Sequence, residues 1–577
     1  MTNLEFEIKA KDIAARIGKL TINEKEIETP TLMPVYNPNN PVITIDELKS
    51  EYDVKVIMTN AYIILKNEKL KEEILNKGIH KYLNFDGVVA TDSGSYQMMV
   101  YGAVSTTNEE ILKFQEEIRS DIGSFLDIPS LPDAYKPRAE EQLEITLERA
   151  AEAAKLKREL NFNLIVNAGV QGAKYTDLRK NASEGIKNLN FKLVAIGGIV
   201  KLMEDYRFSD LVNVIATVKE NLPANKVVHA FGLGHPMVFG VAAALGCDLF
   251  DSAAYALYAK AGRYITPYGT KHLHELEYLP CSCPICSNYS ISEFNEKLLA
   301  KHNLHACFEE LRRVKQAITE NNLWELIQVR ARSHPALLSG IEQMVEHAKW
   351  LSKIDPITKK SAFFYAGHES GYRSEVVNAK NRLMRVKSEN LNDIFPYGAV
   401  PSELADIYPF NSTMVPERLE SEKFNFKIRD IYKIKGIMDY QFGSGAGDLI
   451  NDTVRIVRSK KTRRIRWIYD GKNRRELIAS VRARDHLLIP KMNLAKKLHE
   501  KFEYPELRVV IDDEAVPFVT DGKSVFCKFV KDIDQDLRCD DECLVVDEKD
   551  NLIRVGTLHL SPVEIMDFDR GMAVRVR

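Results

Sequence analysis

Three carboxylates, one carboxamide and a glycine pair each follow a short apolar run in the first half of this chain: Asp92, Asp127, Gln171, Gly197–Gly198 and Asp251. Two carboxylates flanking an anomeric carbon can break a C–N or C–O glycosidic bond with retention, one attacking while the other moves the proton. A third is surplus for that task but suits a base edge. The N1–H and exocyclic amine of guanine are both donors, and one ionised acid accepts from them together. Guanine O6 is an acceptor and needs N–H groups, which the backbone of Gly197 and Gly198 can present with no side chain in the way. Gln171 can serve either kind of edge. Singly, an Asp at a strand end is more often a helix cap or turn former, and Gly-Gly is usually a turn. The weight lies in five such positions arriving at one place.

A second constellation follows. Cys281-x-Cys283-x2-Cys286 puts three thiols within six residues, a spacing that suits Zn2+ better than a disulfide framework. The fourth ligand comes from His272, His274, His302, His305 or Cys307. A closed Cys3His site has no open position and is structural. Cys539 and Cys543 have no nearby partner pair and read as core.

The elements that must position these groups alternate. Apolar, β-branched runs at Thr31–Tyr36, Val54–Met58, Gly87–Thr91, Gly123–Ile128, Leu164–Asn167, Leu193–Ile196, Lys226–Phe231 and Asp248–Phe250 predict eight strands. Helical patterns lie between several of them: Asn108–Ser120 behind a Thr107/Glu110 capping box, then Arg138–Leu160, Asp177–Leu189, Ser209–Leu222 and Pro236–Leu245. This is the pattern of an α/β chain with a (β/α)8 TIM barrel; an open doubly wound sheet is the alternative. In a barrel the ends of the strands share one mouth, and the polar positions fall there.

At 577 residues the chain has room for roughly four domains. They divide as a barrel with its zinc region over 1–345 (zinc site at about 279–305), a smaller α+β segment over 346–423, a basic α+β domain over 424–504 and a β-rich domain over 505–577. Strands are expected in the last at Arg508–Ile511, Ser524–Phe529, Glu542–Val546, Leu552–Leu558 and Ala573–Val576. No apolar run approaches about 20 residues, and the first residues carry no apolar signal core, so a cytoplasmic protein without a membrane span is expected. The net charge of −2 hides a basic stripe: Arg455 to Arg484 holds 12 Lys or Arg against Asp470 and Glu476. That density makes it a candidate phosphate contact through Arg463, Arg464 and Arg466, with a solvated strand face as the plainer reading.

Longer motifs carry a resemblance. Asp92-Ser-Gly-Ser-Tyr-Gln97, Ser120 to Pro129, Phe231-Gly-Leu-Gly-His-Pro236, Asp248-Leu-Phe-Asp251-Ser252 and Pro280 to Cys286 resemble the tRNA-guanine transglycosylase family, archaeal branch. The tail from Leu507 to Arg577 looks like a PUA domain, an RNA-binding module. The resemblance implies exchange of guanine 15 in the tRNA D-arm for 7-cyano-7-deazaguanine, on the way to archaeosine. It implies Asp251 as nucleophile on ribose C1′, Asp92 as general acid/base, and Asp127, Ser93, Gln171, Gly197 and Gly198 around the base. It also implies one structural Zn2+ on Cys281, Cys283, Cys286 and His302, and a homodimer. Lys201 departs from the pattern, which has an uncharged residue there, usually proline. A paralogue acting after insertion, a bacterial-type enzyme acting at the anticodon and a non-enzymatic tRNA-binding protein are the rival readings.

Overall fold

The computed structural model describes residues 4–95, 106–416, 428–472 and 475–577. Tyr96 and Gln97 of the first motif lie outside the described residues, as do Phe424 and Arg474. The chain forms two compact units, 1–319 with 326–344 and 320–325 with 345–577.

The first unit opens with an antiparallel sheet of β1 (Leu4–Asp12), β2 (Ala15–Ile22) and β3 (Lys25–Thr29). Leu4, Phe6 and Ile8 alternate inward along β1, the period-2 signal of a strand with one wet face. The sequence reading passed over it because charged residues fill the alternate positions.

Eight parallel strands follow: β4 (Thr31–Pro34), β5 (Val56–Asn60), β6 (Val88–Asp92), β7 (Ile122–Ser124), β8 (Ile165–Val170), β9 (Leu193–Ile196), β10 (Val227–Ala230) and β11 (Leu249–Ser252). From β5 to β11 each pairs with its neighbour in the chain, and β11 returns to pair with β4 from Leu249↔Thr31 to Ser252↔Pro34. At the remaining seam Val35 bridges Met58, and Tyr36 N–H donates to Met58 O at 2.7 Å. The ring is closed, which removes the open-sheet alternative. Every residue of β8, β9 and β10 is buried, as expected where helices cover a parallel sheet.

The helix Asn108–Glu117 carries the expected reciprocal cap between Thr107 and Glu110. The helices Lys136–Glu159, Thr176–Asn188, Phe208–Glu220 and Pro236–Ala244 stand close to their predicted places. One strand differs more. β7 ends at Ser124, not Ile128, because Asp127 N–H turns back to Phe125 O at 3.0 Å and leaves the ladder. After β11 come the hairpin Arg263–Thr266/Gly269–His272, the short helix Pro284–Asn288 and the long helix Glu296–Glu320.

In the second unit the helices Ala348–Ile354, Ser374–Leu383 and Asp430–Phe442 lead to a four-stranded antiparallel sheet: Arg455–Arg458, Ile465–Tyr469, Leu477–Val481 and Leu488–Pro490. The terminal sheet has six strands, in the order Val525–Phe526, Met572–Val576, Leu552–Leu558, Glu542–Val546, Arg508–Ile511 and Val530–Ile533. Sequence analysis missed the last, an edge strand with two charged residues among four. Among the described residues no helix is long and apolar enough to cross a membrane.

Candidate active site and metal centre

Asp92 closes β6 beside Asn60, the last residue of β5. Asn60 divides its amide: Oδ1 caps the next helix through Ile63 N–H, and Nδ2 donates to Asp92 Oδ2 at 2.9 Å. Gly94 N–H reaches Asp92 Oδ1 at 3.3 Å. Burial, with the negative charges of Asp127 and Asp251 adding to it, pushes the Asp92 carboxyl up to about 7 against the backbone N–H groups of Gly94 and Ser93. A buried acid that feels two other carboxylates in this way is poised to hold a proton near neutrality. The Ser93 hydroxyl is buried and turned to Ser95 Oγ at 3.0 Å.

Asp127 lies on the turn after β7 and accepts Gln171 Nε2 at 2.5 Å. It reaches across β8 because that strand carries Gly169, where a Cβ would stand 2.9 Å from Asp127 Oδ2. Burial raises its carboxyl, opposed by the hydrogen bonds of Gln171 and Ser95.

The glycine pair does not act as two equal donors. Gly197 N–H is taken by Val170 O at 3.1 Å, because it still follows the ladder of β8 and β9, which leaves Gly198 to face a ligand. Gly198 has φ +70, and a Cβ there would lie 3.0 Å from both Gln171 Oε1 and Ser130 O and 3.5 Å from Arg179 Nη2. Arg179, which sequence reasoning missed, is fully buried. It gives Nε to Ala173 O at 2.9 Å and Nη1 to Val170 O at 2.7 Å. Burial pulls its guanidinium down to about 9, with the Asp127 charge opposing. Arg179 Nη2, Gln171 Oε1 and Ser130 Oγ are all buried without a hydrogen-bond partner. Unmet donors and acceptors gathered around one glycine are the lining of a pocket for a flat polar ligand.

Asp251 sits in β11, almost wholly buried. Its Oδ1 accepts Gly232 N–H at 2.5 Å and is 2.7 Å from His229 Nε2. His229 Nδ1 in turn is 2.9 Å from Asn167 Nδ2. Both partners are buried inside β10 and β8, and attention to strand ends alone passed over them. Lys201, the departure noted above, is paired with Glu204 at 2.9 Å on a partly exposed helix.

The ligand atoms of Cys281, Cys283, Cys286 and His302 lie within 4.8 Å of one another. His302 Nε2 is fixed on Ile265 O at 2.9 Å, and the ring stacks on Tyr264 with centroids 3.6 Å apart. Its Nδ1 therefore faces the thiols, 3.2 Å from Cys286 Sγ and 3.5 Å from Cys283 Sγ. Three thiols and an imidazole locked by an outer hydrogen bond are the donor set of a closed tetrahedral site. The other candidates are engaged elsewhere: His305 lies tilted against Tyr52, His272 lies against His274, and Cys307 is buried against Gly234 O. The neighbouring Asn303 takes Ile265 N–H at 2.9 Å and donates to Tyr255 O and Arg263 O. Tyr255 Oη then donates to Val35 O at 3.0 Å.

Residues 11–336 match the family model described as queuine tRNA-ribosyltransferase. The chain belongs to this tRNA-ribosyltransferase family. Residues 432–505 match the patch-forming domain C2 of tRNA-guanine transglycosylase, and residues 507–577 match the PUA domain. Proteins named tRNA-guanine(15) transglycosylase are similar over full length. That of Thermococcus onnurineus is 46% identical over 100% of this chain and 99% of its own. That of Pyrococcus furiosus is 46% identical over 100% and 98%, and that of Methanocaldococcus jannaschii 42% over 100% and 99%.

In this ribosyltransferase the basic stripe lies on the four-stranded sheet within the C2 match, and its cations are not equivalent. Arg458 is held by Asp430 at 2.7 Å, Arg484 by Asp540 at 2.8 Å, and Arg482 is buried between Asp485 and Glu542. Arg464 leans on His486 Nε2 at 2.6 Å, Arg463 occupies the turn at φ +60, and Arg466 is half-buried. An exposed Trp467 stands two residues before Tyr469, over whose ring Arg455 lies at 4.6 Å.

Proposed function

We propose that this chain is a tRNA-guanine(15) transglycosylase that replaces guanine 15 of the D-arm with 7-cyano-7-deazaguanine, in archaeosine biosynthesis. The observation that carries the reading is a buried Asp92 that feels the charges of Asp127 and Asp251, together with the unmet polar atoms of Gln171 and Arg179 around Gly198. Asp251 Oδ2 attacks ribose C1′, and the C1′–N9 bond breaks with its electron pair going to guanine. Asp92, protonated at its raised pKa, delivers the proton that the leaving base takes up. The second base then gives its N9 proton to Asp92, bonds to C1′, and expels the Asp251 carboxylate. Two displacements retain the configuration. Asp127, held by Gln171 Nε2, accepts N1–H and the exocyclic amine, Gly198 N–H meets O6, and the unmet Gln171 Oε1 is left to accept from a base N–H. Ser93 and Gly197 shape the pocket wall.

Cys281, Cys283, Cys286 and His302 would hold one Zn2+, which supplies a structural cross-link and takes no part in bond breaking. Guanine 15 is stacked inside folded tRNA and must be drawn out before C1′ can be reached. Energy for that comes from phosphate contacts, for which Arg463, Arg464, Arg466 and the PUA domain are available. A cytoplasmic homodimer completes the proposal, tested by light scattering.

Exchange of labelled guanine into tRNA, with a protein–tRNA adduct surviving a denaturing gel, tests the function. A tRNA-binding protein without chemistry gives neither. Asp251→Asn should remove both while leaving tRNA binding; an adduct persisting in that variant moves the nucleophile to Asp92.

A further inference from the structure

We infer that His229 is a positioning residue that governs how fast the covalent ribosyl–Asp251 intermediate breaks down, with Asn167 fixing the proton of its imidazole. The inference rests on the reading of Asp251 as nucleophile.

The two oxygens of Asp251 are unlike. Oδ1 receives two donors, His229 Nε2 at 2.7 Å and Gly232 N–H at 2.5 Å, while no described residue donates to Oδ2. Oδ2 is thus the oxygen free to bond C1′, and Oδ1 becomes the carbonyl oxygen of the ester. An N–H donor binds an ionised carboxylate more strongly than a neutral ester carbonyl. Both donors therefore hold back ester formation and favour its reversal. When C1′–Oδ2 breaks, the electron pair spreads over the carboxylate and reaches Oδ1, where the N–H groups already stand, as donors aimed at a developing oxyanion do. The incoming base bonds C1′ through N9, and its N9 proton passes to Asp92, so the step balances without any further reactant.

His229 can do this only if its proton is on Nε2. Asn167 Nδ2 is a donor and lies 2.9 Å from His229 Nδ1, so Nδ1 accepts and the proton is left on Nε2. Asn167, His229 and Asp251 are 2%, 0% and 4% exposed. The ring and both of its partners are closed off from bulk water. Gly232 alone would remain if it were lost.

The test is single-turnover kinetics with full-length protein and tRNA, following adduct by denaturing gel, then its discharge on adding guanine. His229→Leu should slow discharge about tenfold or more, by loss of a charge-assisted bond. Adduct should accumulate at equilibrium, formation should not slow, and the dissociation constant for tRNA should not change. His229→Gln, which returns an N–H donor, should recover part of the discharge rate. Asn167→Ala should shift the balance in the same direction by less, and it serves if His229→Leu does not fold. Equal slowing of formation and discharge, or discharge at the parent rate in Asn167→Ala and in any soluble His229 variant, overturns the inference. Adduct formed by Asp251→Asn would instead sink the nucleophile assignment, so the two failures are distinct.

Discussion

Arg16 grips Asp248 with two donors at once, Nε on Oδ1 at 2.8 Å and Nη2 on Oδ2 at 2.7 Å, both side chains almost wholly buried. Asp248 also accepts Val228 N–H at 2.8 Å, and Arg16 reaches the carbonyls of Ala224 and Lys226. Only two residues separate Asp248 from Asp251, yet one holds the N-terminal sheet to the barrel and the other faces its interior. Breaking one side of a buried, bidentate pair strands a charge and costs about 3–5 kcal/mol. Asp248→Asn should therefore lower the denaturant midpoint while the surviving folded protein still forms adduct. Asp251→Asn should do the reverse.

Asp92 gives a pH signature. Its carboxyl is raised from about 3.8 to about 7 by burial and by its acidic neighbours. The folded state therefore binds this proton more tightly than the unfolded chain does. The stability it contributes is complete below about pH 4 and is lost as pH rises through about 7. Asp92→Asn should then be more stable than the parent at pH 8, by about 4 kcal/mol at most. The gain should fade between pH 7 and 4. Urea unfolding at several pH values reads this directly, and a difference independent of pH would refute it.

Gly198→Ala tests the base pocket. The added methyl meets Gln171 Oε1 and Ser130 O at 3.0 Å in a left-handed backbone conformation. Strain of about 1–2 kcal/mol and displacement of Gln171 should weaken base binding at least about tenfold, with tRNA affinity unchanged. Calorimetry with guanine and a filter-binding assay with tRNA separate the two effects.

Metal analysis should find about one zinc per chain, lost in His302→Ala and in Cys283→Ser together with thermal stability. His305→Ala should keep its zinc. Full occupancy in His302→Ala would give the fourth position to another donor.

Charge reversal at Arg463 and Arg464 should lower the salt slope of tRNA binding by roughly one per lost phosphate contact. The same change at Arg458, already tied to Asp430, should mainly cost stability. Equal slopes in all three variants would make the stripe a solvated strand face.

Much of this was legible in the chain itself. The barrel could be read because strands covered on both faces become runs such as Leu164–Asn167, and because caps such as Thr107/Glu110 mark helix starts. Asp92, Asp127, Gln171 and Asp251 could be read because polar residues at the ends of such runs stand out. His229, Asn167 and Arg179 could not. A lone histidine or asparagine inside a strand has no local pattern, and Arg179 occupies a helix, where arginine ordinarily faces water. The contacts of His229 and Asn167 come from other strands, and those of Arg179 from the strand end and loop before its helix, which residue type and spacing do not announce. The unequal duties of Gly197 and Gly198 were hidden for the same reason, since only the register with Val170 decides which N–H is spent.

The hydrogen bonds running from Asn303 through Tyr255 to Val35 have a consequence for the order in which the protein is made. Val35 belongs to the seam where the first barrel strand meets the second, and its bridge to Met58 can form early in synthesis. The clasp that steadies it is supplied by the helix Glu296–Glu320, well beyond the last barrel strand. A ribosome-bound chain that has only just released β11 therefore has a complete ring of strands with an unfastened seam. Its clasp is added only when that helix emerges behind the cysteine-rich segment, so the seam is fastened after the ring has formed.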